Sequence, residues 1–253
     1  MPSRRRSTYV AIPLLFLLFT ALLCLCAWWL GGAFASPRGQ TAPTAAEGEN
    51  VPPSEGQTAP IRTVVIDAGH GGEDGGAQSA AGLFEKDANL AVAMALRELL
   101  EANGIPTVMT RTEDKLLYDR GVDFKGRKKV LDLAARRIIA EETEGCLFVS
   151  IHMNAFPQTQ YRGMQVWYGA GSPLSQEVAG SVQALCASWQ ADNHRKIKAA
   201  GSNIYLLDRL ECPAILVECG FLSNPDEAAC LADDAYRYDV AFSIFAAIAE
   251  YIQ

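Results

Sequence analysis

The chain has 253 residues, 49% of them hydrophobic, and a formal net charge of −7 at pH 7. This negative charge disfavours nucleic acid as a partner, because phosphate backbones attract basic surfaces. The cysteines beyond residue 60 are odd in number and form no C-x-x-C pair, so neither a disulfide framework nor a thiolate zinc site is predicted. They are Cys146, Cys186, Cys212, Cys219 and Cys230.

The N-terminal region predicts a membrane segment. Residues 7–37 contain no charged side chain, and residues 9–31 are long and apolar enough to span a bilayer as a signal anchor. The arginine-rich tail, residues 1–8, is predicted to stay in the cytoplasm. The rest of the chain is therefore expected outside the cytoplasm, either tethered to the membrane or secreted after cleavage at the A-x-A sequence of residues 33–35.

Two further regions follow the predicted anchor. Residues 32–60 are rich in Pro, Gly, Ser, Thr and Ala and have almost no large apolar side chains. Such a segment cannot bury a core, so a disordered linker is predicted there. Residues 61–253 have the length of one ordinary domain and show no internal repeat.

Strand-like and helix-like segments alternate through residues 61–253. The predicted strands are 64–66, 106–110, 146–152, 164–168, 203–207 and 214–218, and the predicted helices are 87–102, 127–142, 175–189 and 235–252. Gly104 is the predicted stop of the first helix. This alternation predicts a single α/β domain with a mixed, mostly parallel sheet and helices on both faces.

Polar residues follow three of the apolar strands. His70 follows the first strand and is expected to be exposed, His152 ends the third, and Glu218 ends the last. Glu85 stands just before the first long helix. Because functional groups gather at the carboxyl ends of strands in open sheets, these side chains are expected at one edge. Two imidazoles and one carboxylate, from His70, His152 and Glu85, suit one zinc ion with a fourth position open to water, which leaves Glu218 free to act on that water.

Several other interpretations compete with this one. A histidine at a strand end is often structural, and Glu85 could simply favour the positive end of a helix. Glu218 is harder to explain structurally, because a carboxylate between "AILV" and "CGFL" is costly to bury without a partner. The glycine-rich loop around His70, after the first strand, fits no phosphate-binding pattern. The sequence also lacks the G-x-S-x-G pattern of serine hydrolases. His194 could replace Glu85 as a ligand, although its surroundings are polar and typical of a solvated face.

Four sequence blocks carry a family resemblance. "DAGHGGEDGGA", "FEKDANL", "SIHMNA" and "VECGFLSN", in this order, resemble the zinc-dependent N-acetylmuramoyl-L-alanine amidases of the amidase-3 type. The resemblance implies that His70, Glu85 and His152 bind one zinc ion and that Glu218 is catalytic. It also implies peptidoglycan as the substrate. The candidate substrate contacts are Asn154 in "SIHMNA" together with Arg195 and Lys198 in "HRKIKAAG".

The layout of anchor, linker and one catalytic domain resembles the germination-specific amidases that act on spore-cortex peptidoglycan. The block "GRKKVLDLAARRIIA", with Arg127 and Arg136, also resembles theirs. This resemblance implies a role in forming muramic δ-lactam, a location in the forespore intermembrane space, and an accessory envelope protein as a further partner. The alternatives are another zinc peptidase that cleaves within the stem peptide and a non-catalytic module that binds the cell wall.

Overall fold

The computed structural model describes residues 60–118, 121, 125–190 and 192–253. The strands are β1 (Thr63–Ala68), β2 (Thr107–Met109), β3 (Cys146–Asn154), β4 (Gln165–Tyr168), β5 (Lys198–Ala199) and β6 (Ala214–Phe221). The helices are α1 (Glu85–Ala102), α2 (Lys128–Glu141), α3 (Leu174–Trp189), α4 (Tyr205–Arg209), α5 (Pro225–Ala232) and α6 (Asp234–Ile248), and a 3₁₀ turn (Ala249–Tyr251) follows.

The strands form one sheet in the order β2-β1-β3-β6-β4-β5. All neighbours are parallel except β4, which runs antiparallel to β6. The prediction of a mixed, mostly parallel sheet is therefore confirmed. The carboxyl ends of β1, β3 and β6, which lie side by side, all reach the same edge.

Helices cover both faces of the sheet, as predicted. Val64 and Ile66 of β1 belong to the core cluster that α1, α3 and α6 complete, whereas Val65 belongs to the cluster that includes residues of α2 and α4. Successive side chains of a strand point to opposite faces, so burial of all three residues requires two covered faces. This burial explains why the strand is a continuous β-branched run and shows no polar alternation.

The structure differs from the prediction in the type of one element and in several bounds. β3 and β6 continue past His152 and Glu218, their predicted last residues, to Asn154 and Phe221. The strand predicted at 203–207 is wrong, since Tyr205–Arg209 is helical and the amide of Leu210 donates to the carbonyl of Leu206. Leu206 and Leu207 are adjacent and both buried, which a helix packed on the sheet permits and a strand exposed on one face does not. α1 begins at Glu85, two residues earlier than predicted, and the last α-helix ends at Ile248.

Two short elements were not predicted. Helix α5 starts after Asn224, whose side chain accepts hydrogen bonds from the amides of Asp226 and Glu227. The sequence carries the signal for this start, because an Asn cap followed by Pro225 favours a helix N-terminus. β5 has two residues and pairs only with β4, which is too short a run to stand out in the sequence.

The predicted tail (1–8) and signal anchor (9–31) lie outside the described residues, as does the linker (32–60) except for Pro60. Within the part of the chain that the structure describes, none of the helices combines the length and the apolar character needed to cross a bilayer.

Candidate metal centre

The loop after β1 holds His70 in an unusual backbone conformation. His70 has φ 61°, in the left-handed region that non-glycine residues rarely adopt. Two arginines hold the carbonyls of this loop: Arg136 Nη2 donates to His70 O at 2.7 Å, and Arg111 Nη2 donates to Gly69 O at 3.0 Å. These bonds fix the loop. The His70 side chain is only 15% exposed, so the expectation of an exposed histidine is wrong.

Glu85 is the first residue of α1, and its carboxylate is buried and held by backbone amides. The amide of Ala77 donates to Oε2 at 2.9 Å, and the amide of Met153 donates to Oε1 at 3.2 Å. One donor belongs to the glycine loop and the other to β3. The carboxylate is therefore fixed between the two segments that carry His70 and His152.

The structure brings His70, Glu85 and His152 together. Glu85 Oε1 lies 3.2 Å from His70 Nε2 and 3.0 Å from His152 Nδ1. One donor atom from each residue lies within 4.8 Å of the other two. In the described residues, this is the one group of three or more His, Cys, Asp or Glu side chains with such a geometry.

Two glycines allow this close packing. A Cβ on Gly69 would lie 2.2 Å from His152 Nε2, and a Cβ on Gly76 would lie 2.5 Å from Glu85 Oε2. Gly76 also has φ 66°, which strains any other residue. The glycines of the loop are thus required by the side chains that surround them.

The donor set fits zinc. Two imidazole nitrogens and one carboxylate oxygen are a common catalytic zinc set, and they leave a fourth position free. Asp74 Oδ1 lies 2.9 Å from His70 Nδ1, a nitrogen that otherwise has no hydrogen-bond partner. A carboxylate behind a ligating imidazole is a usual feature of zinc sites.

The electrostatic interactions among the three side chains shift the pKa values of Glu85 and His70 in opposite directions. Burial raises the pKa of Glu85, but hydrogen bonds and charge from His152 and His70 outweigh it and hold the pKa well below its usual range. Burial lowers the pKa of His70, and Glu85 and Asp74 outweigh that effect and raise it. Glu85 is therefore a carboxylate at neutral pH, as a metal ligand must be.

Glu218 lies directly opposite His152 in the pairing of β6 with β3. Its Oε2 atom is buried and has no hydrogen-bond partner among the described residues. Burial and the neighbouring charge of Glu85 raise the pKa of Glu218 to about 7, against the lowering effect of His152, His70 and Arg195. A buried carboxyl with a pKa near neutrality suits proton transfer better than a structural role.

A buried ionic network that includes Arg136 holds the loop that carries His70. Asp67 accepts hydrogen bonds from Arg136 Nη1 at 2.6 Å, Ser150 Oγ at 2.6 Å and Thr110 Oγ1 at 2.9 Å. Arg136 also donates to Asp132 Oδ2 at 2.7 Å. The sequence pointed to Arg136 only through its resemblance to a family block. An arginine within an otherwise amphipathic helix gives no local sign that it is buried.

The three candidate substrate contacts differ in position. Arg195 lies on the Glu218 side of the sheet edge, where its guanidinium stacks 4.4 Å from the Phe221 ring centroid and lowers the pKa of Glu218. Asn154 pairs with Phe221 at the end of β3. Lys198 is exposed on the edge strand β5, with its ammonium nitrogen 5.1 Å from the centroid of the Trp167 ring.

Two further features concern the same edge. His194 is exposed and does not belong to the group of three donors, which disfavours an all-histidine site. An aromatic cluster that the sequence did not single out lies beside Arg195: Phe156 stacks on Phe221 at 5.9 Å, and Tyr161 contacts Phe156 edge-on at 5.5 Å. The spacing of these rings along the chain is irregular, so only the fold brings them together.

A family model described as N-acetylmuramoyl-L-alanine amidase matches residues 64–250. The chain is 36% identical over 190 residues to the germination-specific N-acetylmuramoyl-L-alanine amidase of Bacillus subtilis, an alignment that covers 75% of this chain and 79% of the relative. It is 30% identical over 258 residues to the amidase AmiC of Neisseria meningitidis, with 85% of this chain and 58% of the relative covered.

Solved structures resemble the fold as well. The CwlD amidase of Clostridioides difficile, solved in complex with the GerS lipoprotein, superposes with a TM-score of 0.71 at 36% identity and covers 75% of this chain and 98% of that chain. The catalytic domain of CwlV from Paenibacillus polymyxa superposes with a TM-score of 0.64 at 29% identity, over 76% of this chain and 98% of the other.

Proposed function

The chain belongs to the N-acetylmuramoyl-L-alanine amidase family, and from this membership we propose that it hydrolyses the bond between N-acetylmuramic acid and L-alanine in peptidoglycan with one zinc ion. His70, Glu85 and His152 would hold the zinc, and Glu218 would transfer the proton. The observation that carries the proposal is the position of Glu218 opposite the zinc-binding candidate His152, with its Oε2 atom buried and without a hydrogen-bond partner among the described residues.

Zinc bound by these three side chains would supply Lewis acidity, which polarises a carbonyl and makes water a better nucleophile. Glu218 accepts the proton of the attacking water and then delivers it to the nitrogen of the departing alanine. Its pKa of about 7 suits both steps, because the group must take a proton and later release it. Protonation of the nitrogen completes the cleavage of the amide.

The surrounding residues have supporting roles in this proposal. Arg195 would bind a negatively charged group of the substrate, since its guanidinium lies on the Glu218 side of the site and is stacked on Phe221. Asn154 would contact the substrate from the end of β3, next to the aromatic cluster. Lys198 is the weakest of the three candidates because it lies on the edge strand, so it would contact only a substrate that extends across β4.

We extend the proposal to the spore cortex and to the cell envelope. The identity of 36% to a germination-specific amidase supports a role in forming muramic δ-lactam. The predicted anchor at 9–31 and linker at 32–60 would hold the catalytic domain outside the cytoplasm, in the forespore intermembrane space. The relative from Clostridioides difficile was solved with a lipoprotein bound, which supports an accessory envelope protein as a partner here.

The experiment that tests the activity is digestion of purified muropeptides by the full chain loaded with zinc. The proposal expects peptides with a free L-alanine amino group and glycan that has lost its peptide. Cleavage inside the stem peptide would identify the chain as another zinc peptidase. Binding of muropeptides without any cleavage would indicate a cell-wall-binding module.

The spore-cortex role has a separate test. A strain that lacks the protein is expected to grow and divide normally but to make spores without muramic δ-lactam, which germinate poorly. Analysis of cortex muropeptides measures the lactam directly. Unchanged lactam in the deletion strain would contradict the sporulation role and leave the amidase activity standing.

A further inference from the structure

Two cysteines face each other at the edge of the sheet opposite the metal centre. Cys146 is the first residue of β3, and Cys212 stands two residues before β6. β3 and β6 are parallel neighbours with Phe148 opposite Ala214, so counting back two residues on each chain brings Cys146 opposite Cys212. Their Sγ atoms are 3.5 Å apart.

We propose that Cys146 and Cys212 are a disulfide site, and that the cross-link forms when the folded domain meets an oxidising environment. Neighbouring strands lie about 4.8 Å apart, within the range of about 4.4 to 6.8 Å that disulfides span between Cα atoms. The two sulfurs need only approach from 3.5 Å to about 2.05 Å. Side-chain rotation can supply this approach with little change in the backbone.

The thiol of Cys212 is accessible to a small oxidant. Cys146 and Cys212 both line a cavity of about 640 Å³, together with Ser172, Glu211 and Pro213. Cys146 is buried, whereas Cys212 is half-buried at the wall of this cavity. A hydrogen bond with Cys146 lowers the pKa of Cys212, and the same contact together with burial raises the pKa of Cys146. Cys212 is therefore the thiol that ionises first.

The chemistry requires an oxidant of the low-molecular-weight disulfide class, such as oxidised glutathione. The Cys212 thiolate attacks one sulfur of the oxidant, forms a mixed disulfide and releases one thiolate. Cys146 then loses its proton and attacks Cys212 Sγ, which releases the second thiolate. Two cysteine thiols are oxidised, one oxidant disulfide is reduced, and two protons are released.

The cross-link would fix the two strands that carry the active-site candidates. His152 and Glu218 each lie six residues beyond the cysteine that begins or precedes their strand, so a bond between Cys146 and Cys212 prevents β3 and β6 from separating where they begin. The disulfide would close a loop between residues 146 and 212 and so restrict the unfolded chain, which stabilises the folded state. Its reduction should therefore lower the Tm by roughly 5 to 15 °C. The proposal does not depend on the hydrolytic reaction, and its failure would leave the proposed function intact.

Peptide mapping of the full chain tests the bond. The protein is purified without reductant, equilibrated with oxidised glutathione, alkylated, and digested with trypsin and a glutamate-specific protease. This digestion places Cys146 alone in peptide 145–162 and Cys212 alone in peptide 212–218. The proposal expects these two peptides to be linked before reduction and separate after it. Separately alkylated peptides in the oxidised protein would overturn it.

A thermal measurement with two variants completes the test. A phosphine reductant, which leaves zinc in place, is expected to lower the Tm of the parent protein and of Cys230→Ser, a control at an exposed cysteine. The same reductant should leave the Tm of Cys212→Ser unchanged. A parent Tm that does not fall on reduction would overturn the proposal, even if Cys212→Ser itself proves unstable.

Discussion

His152 on β3 and Glu218 on β6 are paired in register on adjacent parallel strands. Residues paired in this way point to the same side of a sheet, and neighbouring strands are about 4.8 Å apart. A ligand candidate and a proton-transfer candidate are therefore held side by side by backbone hydrogen bonds instead of by a mobile loop. This arrangement allows the two roles to be separated by experiment.

The first prediction concerns the titration of Glu218. In the full chain freed of metal by a chelator, the pKa of Glu218 should be about 7, because burial and the charge of Glu85 penalise its ionised form. Glu218 is then protonated below this pH and ionised above it. Addition of zinc should lower the pKa, since a nearby cation favours the carboxylate. Carbon-13 NMR of labelled glutamate side chains measures both values, and an ordinary pKa near 4.3 in the metal-free protein would contradict the burial argument.

The second prediction concerns zinc content. His70→Ala and Glu85→Ala should each lose bound zinc, because either change leaves only two donors at the centre. His194→Ala is the matched control and should keep the parental zinc content, since this histidine is exposed and lies outside the group. Metal analysis after gel filtration measures the content. Zinc retained in Glu85→Ala and lost in His194→Ala would reverse the ligand assignment.

The third prediction separates a buried arginine from a partly exposed one on the same helix. Arg136→Met should destabilise the protein by about 3 to 5 kcal/mol, because it leaves Asp67 as a buried charge without its main partner. Arg137→Met removes only a partly exposed pair with Glu141 and should change the stability by less than about 1 kcal/mol. Denaturant unfolding of both variants measures the difference. Equal losses of stability in the two variants would contradict the stabilising role of the buried pair of Arg136 with Asp67.

The placement of His70, His152 and Glu218 beside three apolar strands could be predicted because the information is local. Each lies at or just beyond the end of a short apolar run, and the carboxyl ends of parallel strands meet at one edge. The end of α1 before Gly104 could also be predicted from the local sequence. Gly104 has a φ of 74° just after the helix cap, a conformation that glycine adopts readily. These positions needed no knowledge of which strands are neighbours.

Other features depend on the assembled fold. The antiparallel direction of β4 follows from its pairing with β6, which no local pattern in either strand reveals. Residues 203–207 have strand-like composition, but the chain is helical over Tyr205–Arg209, where Leu206 and Leu207 pack against the sheet. Two contacts join residues that are far apart in sequence. Arg111 donates to the carbonyl of Gly69, and Cys146 faces Cys212, so only the assembled sheet reveals them.

The turnover of Glu218→Gln in its folded, zinc-loaded form decides whether Glu218 transfers the proton. We expect near-parental zinc and a kcat on purified muropeptides that is lower by about 10²-fold or more, the usual effect of losing a positioned proton-transfer group. Glu211→Gln, at an exposed glutamate before β6, is the control and should retain parental kcat. A zinc-loaded Glu218→Gln protein that releases L-alanine-linked peptide at the parental rate would contradict the account, and Glu73 or Asp74 in the loop of His70 would become the next candidates for the base.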